Sequence, residues 1–83
     1  ITMHLIVKHT PEIVECQVIQ ESLSKIYVNL VVTDKFTDVL SERLIQEIKQ
    51  ALNNEVSVDL NIVDAIPRGP GGKIRMVISK VGP

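Results

Sequence analysis

The sequence predicts a small α+β domain, with a three- to four-stranded mixed or antiparallel sheet and two helices packed on one face. Three observations predict it. Two stretches of alternating apolar and polar residues are separated by a short polar break, one stretch carries apolar residues at intervals of three and four, and a third alternating stretch follows. The chain has 83 residues, which is about one small domain. It is 45% hydrophobic and 23% charged, an ordinary globular balance rather than a disordered or low-complexity one.

From the start, Met3, Ile6 and Val7 form a brief helical stripe over residues 1 to 10 that stops at Pro11, so a first helix is expected there. Glu12 to Gln20 alternates, with Val14, Cys16 and Val18 expected on one face and Glu15 and Gln17 on the other. The polar stretch Glu21 to Ser24 leads into Lys25 to Thr33, where Ile26, Val28, Leu30 and Val32 share a face. The pair reads as a hairpin. Thr37-Asp38 supplies side-chain oxygens suited to capping a first helical turn. The helix that follows carries Leu40, Leu44, Ile45, Ile48, Ala51 and Leu52 as its apolar stripe and stops at Asn53-Asn54. Val56, Val58, Leu60 and Ile62 then alternate with Ser57, Asp59 and Asn61, a third strand. Lys73 to Lys80, with Ile74, Met76 and Ile78 on one parity, reads as a short terminal strand.

Composition excludes several function classes. A net charge of −1 argues against a broad basic face for nucleic acid. No stretch approaches the roughly 20 apolar residues that a membrane helix needs, and no signal peptide is recognised. One cysteine, Cys16, permits no internal disulfide, which suits a reducing cytoplasm, the expected location. Cys16 sits on the apolar parity of its strand and reads as an inert buried thiol. His4 and His9 lie about 140° apart around a helix, so they cannot share a metal, and no metal site is expected in the chain. Glu42, Glu47, Asp59 and Asp64 are scattered over solvated faces and form no acid/base pair. Tyr27 falls on the hairpin face opposite the core, where half-exposed packing and a docking or dimer surface are both open.

The chemistry concentrates in Pro67-Arg68-Gly69-Pro70-Gly71-Gly72, three glycines and two prolines within six residues, followed by Lys73. Glycines permit positive φ and close approach of backbone to a ligand, while prolines restrict the path of the chain. On composition alone, a hairpin turn with two solvated cations explains the segment equally well. A Walker A loop fails, because Pro67 and Ile74 stand where it needs a glycine and a hydroxyl residue. A KH-type clamp matches the Gly69 to Gly72 spacing, yet a strand precedes the loop here.

Ile66-Pro67-Arg68-Gly69-Pro70-Gly71-Gly72-Lys73-Ile74-Arg75 resembles the last motif of the adenylate-forming superfamily, the acyl-CoA synthetases and their relatives, which runs Pro-Arg-Thr-x-Ser-Gly-Lys-Ile-x-Arg. That motif closes the superfamily's small C-terminal domain. Pro11 to Val18 is similar to that domain's first strand and Leu44 to Leu52 to its second helix. The similarity is greatest to the phenylacetate-CoA ligase branch, including its capsule-biosynthesis relatives. Gly69 and Gly71 replace the motif's Thr and Ser, and Met76 replaces its final Arg, with Arg75 one place early.

The resemblance implies a mobile lid domain of an AMP-forming acid-CoA ligase. The chain, which begins at Ile1 and ends at Pro83, would be a fragment of a longer enzyme and inactive alone. Lys73 would enter the active site for carboxylate adenylation, and the domain would then rotate for thioester formation. With the motif's hydroxyls replaced, the backbone amides around Gly69, Gly71 and Gly72, with Pro67 and Arg68 beside them, would form the nucleotide-binding loop. Arg68 is expected to be solvated or to contact the large domain. The implied cofactors are ATP, CoA and Mg2+ in the parent enzyme. The implied partners are a large N-terminal adenylation domain in the same chain and a small carboxylic acid, with aryl acids suggested by the branch. Nucleic acid and membrane are not expected, and homodimer formation is left open. The alternative reading is a freestanding α+β ligand-binding or regulatory module, with the KH-like clamp a distant third.

Overall fold

A computed structural model describes residues 8–73 and 77–81 of the chain. Strand β1 spans Ile13–Ser22, β2 Lys25–Val32, helix α1 Asp38–Ala51, β3 Ser57–Ile62 and β4 Val77–Ser79. The four strands form one sheet in the order β3-β2-β1-β4. β1 and β2 pair antiparallel, whereas β3 runs parallel to β2 and β4 parallel to β1. The expected α+β class and mixed sheet are therefore present. One helix rather than two packs on this sheet among the described residues, since most of the helix expected over residues 1 to 10 falls on residues 1–7, outside them.

The helix begins where its cap dictates. Thr37 is extended and its hydroxyl accepts a hydrogen bond from the Leu40 amide at 3.2 Å, satisfying a donor that the first turn leaves without a partner. At the other end Asn53 and Asn54 take φ of 59° and 60°, the left-handed conformation that asparagine tolerates better than most residues. The Asn54 amide donates back to the Lys49 carbonyl at 2.7 Å. Leu44 and Ile48 are buried against Val28, Leu30 and Val58, while Ala51, expected on the stripe, is exposed.

The hairpin departs from the expected alternation at two places. Ile13 pairs with Val32, but Glu15 pairs with Val31, so β1 carries one extra residue at Val14. This bulge turns Val14 outward, 59% exposed, and lets Ile13 join Cys16 and Val18 in the core. Val14 therefore does not share the face of Cys16 and Val18, because a one-residue insertion reverses the side-chain phase of a strand. A second irregularity between Gln20 and Ser22 extends β1 through residues expected to form the turn, leaving Leu23 and Ser24 as the connection.

Pairing also sorts the faces. Val18, Ile26, Val28, Leu30 and Val58 lie on the helix side of the sheet with Cys16. Glu15, Gln17, Ile19, Tyr27, Asp59 and Ile78 have the opposite parity and form the outer face. Lys25 bridges that face, with its ammonium 2.6 Å from the Asp59 carboxylate and 5.2 Å from the Tyr27 ring centroid. The hydrogen bond to Asp59 raises the Lys25 pKa, with desolvation opposing it.

Cys16 is the buried thiol that its parity predicts, and burial pushes its pKa from 9.0 up to about 11. Below pH 9 both folded and unfolded thiols are protonated and the full contribution to stability is present. As pH rises through about 11 that contribution is lost, because the unfolded thiol ionises first. Iodoacetamide at pH 8 should label Cys16 slowly in buffer and readily in urea. Equal rates in the two solvents would contradict the packing described.

Candidate functional site

After β3 the chain crosses to the outer face of the sheet, where Ile66 is buried apart from the helix-side core. The loop that follows is a closed structure rather than a free arm. Pro70–Gly72 form a single 3-10 turn, in which the Gly72 amide donates to the Gly69 carbonyl at 3.1 Å. The Gly69 amide donates to the Lys73 carbonyl at 2.8 Å, which draws the two ends of the loop together. Gly71 and Gly72 adopt φ of 83° and 76°, a region that costs residues bearing a Cβ.

The space around Gly71 is open, since a Cβ there would meet nothing within 4 Å. Gly71→Ala should therefore lower stability through backbone strain alone, by ~1 kcal/mol. Urea unfolding of the two chains checks this. A variant as stable as the parent would rule out the left-handed turn.

Arg68 links the loop to the sheet. Its Nη2 donates to Glu15 Oε2 at 2.7 Å and its Nη1 donates to the Gly72 carbonyl at 3.3 Å. The side chain is still 54% exposed, so the pair contributes ~1 kcal/mol or less to stability. Its effect is geometric, because one planar guanidinium joins strand β1 to the far side of the glycine turn. Between them the loop and sheet form a shallow cavity of about 240 Å³ lined by Gln17, Pro67, Arg68, Gly69 and Ile78.

Lys73 leaves the turn in extended conformation, with φ −96° and ψ 142°, and is exposed. Among the described residues its ammonium has no hydrogen-bond or ion-pair partner. Pro67, Arg68, Gly69, Gly71, Gly72 and Lys73 thus come together in one loop, whereas Ile74, Arg75 and Met76 of the same motif lie outside the described residues. Among the described residues, the arrangement presents the unpaired Lys73 cation beside a turn made of small residues. Such a surface can approach an anion closely and supply a charge to it.

Sequence reasoning missed the role of Glu15, which it placed with Gln17 on the face opposite Val14, Cys16 and Val18 and assigned no partner. The available signal was an acidic residue at outer parity in a strand that also carries Gln17, together with the single charged residue, Arg68, of the segment Pro67 to Gly72. The loop joins two strands, β3 and β4, and not the two helices that frame a KH clamp. Among the described residues no three His, Cys, Asp or Glu side chains gather as metal ligands, and no helix is long and apolar enough to cross a membrane.

Comparison with curated proteins gives no match. Residues 1–80, nearly the whole chain and with the glycine loop inside, match the CapK C-terminal domain. With a family match of that extent, this chain belongs to the CapK C-terminal domain family.

Proposed function

We propose that the chain is the mobile C-terminal domain of an ATP-dependent acyl- or aryl-CoA ligase of the phenylacetate-CoA ligase type, and that it delivers Lys73 to the active site for carboxylate adenylation. The observation that carries this reading is the Lys73 ammonium, without a partner among the described residues, at the end of a closed glycine turn. Its membership of a family of C-terminal domains is in keeping with a larger domain ahead of it in the same chain.

Adenylation requires a carboxylate to attack the α-phosphate of ATP while pyrophosphate leaves, so two anions must meet. An ammonium on a flexible stem offsets their repulsion and holds both oxygens near the line of attack. The glycines let the turn sit against the nucleotide without side-chain bulk, and their amides offer donors to phosphate oxygens. Mg2+ would serve the phosphates from the large domain. Thioester formation then needs Lys73 withdrawn so that the CoA thiol can reach the acyl-adenylate, which a rotation of this domain accomplishes.

The test is acid-dependent exchange of pyrophosphate into ATP by the full-length protein, with a panel of aryl and alkyl acids. Exchange that appears with one acid class and depends on Mg2+ is the expected result. A protein that folds, binds ATP and supports no exchange with any acid would sink the proposal in favour of a regulatory module.

A further inference from the structure

We infer that Glu15 and Arg68 are positioning residues that set the reach of Lys73, acting as a clamp between strand β1 and the glycine turn. The inference rests on the adenylation role proposed for Lys73.

Glu15 pairs with Val31 of β2, on a strand that β4 also flanks further along at Val18 to Gln20, and stands immediately after the bulge at Val14 that fixes which face it takes. Its side chain is only 22% exposed, so its carboxylate is a firm anchor. Arg68 spans from that anchor at 2.7 Å to the Gly72 carbonyl at 3.3 Å, one residue before Lys73. The Gly69 to Lys73 backbone bond at 2.8 Å closes the same ring from the other side. A turn with glycines at 69, 71 and 72 has unusual backbone freedom to lose, and the clamp restricts it before any ligand arrives. Lys73 then projects from a base whose carbonyl is tied to Gly69 across the turn and whose preceding residue is tied, through Arg68, to the sheet.

The clamp also sorts the charges. Arg68 is neutralised by Glu15, so of the two cations on the described part of the loop, Lys73 is the one without an acidic partner among the described residues. An Arg68 that left Glu15 to bind phosphate would leave a carboxylate exposed beside that phosphate. Arg68 therefore acts through the loop, and a nucleotide contact made by Arg68 itself predicts different kinetics.

The experiment measures both half-reactions in the full-length protein carrying Glu15→Gln, Arg68→Gln or Lys73→Ala, and each of the first two combined with the third. Glu15→Gln and Arg68→Gln should each slow adenylation on the order of tenfold through kcat, with KM for ATP little changed and thioester formation from supplied acyl-adenylate unchanged. Neither should slow a Lys73→Ala protein further, because a positioning residue has no effect once the group it positions is gone. A Glu15→Gln protein with wild-type adenylation beside an impaired Arg68→Gln protein would overturn the clamp and make Arg68 a direct ligand. Losses that multiply with Lys73→Ala would overturn it as well. Hydrogen exchange of the peptide over residues 66–73 separates this failure from that of the parent reading. If Lys73→Ala leaves adenylation intact, the adenylation role falls. In that case faster exchange in Glu15→Gln still upholds the clamp as the anchor of the loop, and unchanged exchange overturns it too.

Discussion

Lys73→Ala in the full-length protein is expected to slow acyl-adenylate formation by about a hundredfold or more, the scale of removing one preorganised charge donor from a developing transition state. Two features make the effect large. The ammonium has no partner among the described residues, so no contact with any of them must be broken before it reaches an anion. The loop behind it is already closed by the Gly69 to Lys73 and Gly72 to Gly69 bonds, which limits the ordering that remains at the moment of reaction. Thioester formation from supplied acyl-adenylate should proceed near the wild-type rate, since Lys73 is withdrawn in that step. Rapid-quench measurement of the two half-reactions decides the matter. Equal losses in both would point to misfolding or a shared role, and an intact first half-reaction would remove Lys73 from the chemistry.

The largest effect on stability is expected at Leu30. It is fully buried, in a strand paired with β1 on one side and β3 on the other, and lies in the same cluster as Leu44 and Ile48 of the helix. Leu30→Ala removes apolar contacts and leaves a cavity that neighbours on three elements cannot easily fill, at a cost of ~3 kcal/mol. A domain of this size has a total stability of roughly 4–12 kcal/mol, so the loss should lower the melting temperature by more than about 10 °C. Ile62→Ala is the internal control. Ile62 lies one strand away at the sheet edge and is 55% exposed, and its truncation should cost ~1 kcal/mol or less. Similar losses at both positions in urea unfolding would show that the core does not centre on β2.

Much of this architecture was legible because single residues carried the signals. Alternation in Val58, Leu60 and Ile62 marked β3, Thr37 marked the helix start, and the asparagine pair marked its end. The phase of β1 was not legible at Val14, because a bulge is a property of pairing with β2 and leaves no mark in one strand's pattern. The glycine loop was recognisable by composition, and its left-handed turn at Gly71 and Gly72 follows from residues that carry no Cβ to oppose it. The partner of Arg68 was not, since Glu15 lies 53 positions away and only the fold brings the two together.

The extra residue at Val14 separates two kinds of sequence change during divergence. A substitution there exchanges one solvent-facing side chain and should drift freely among relatives. A deletion would rotate Ile13 out of the core and bring the chain arriving from Pro11 and Glu12 onto the sheet half a turn out of phase. Selection at this position therefore acts on the length of the strand and not on the identity of the residue.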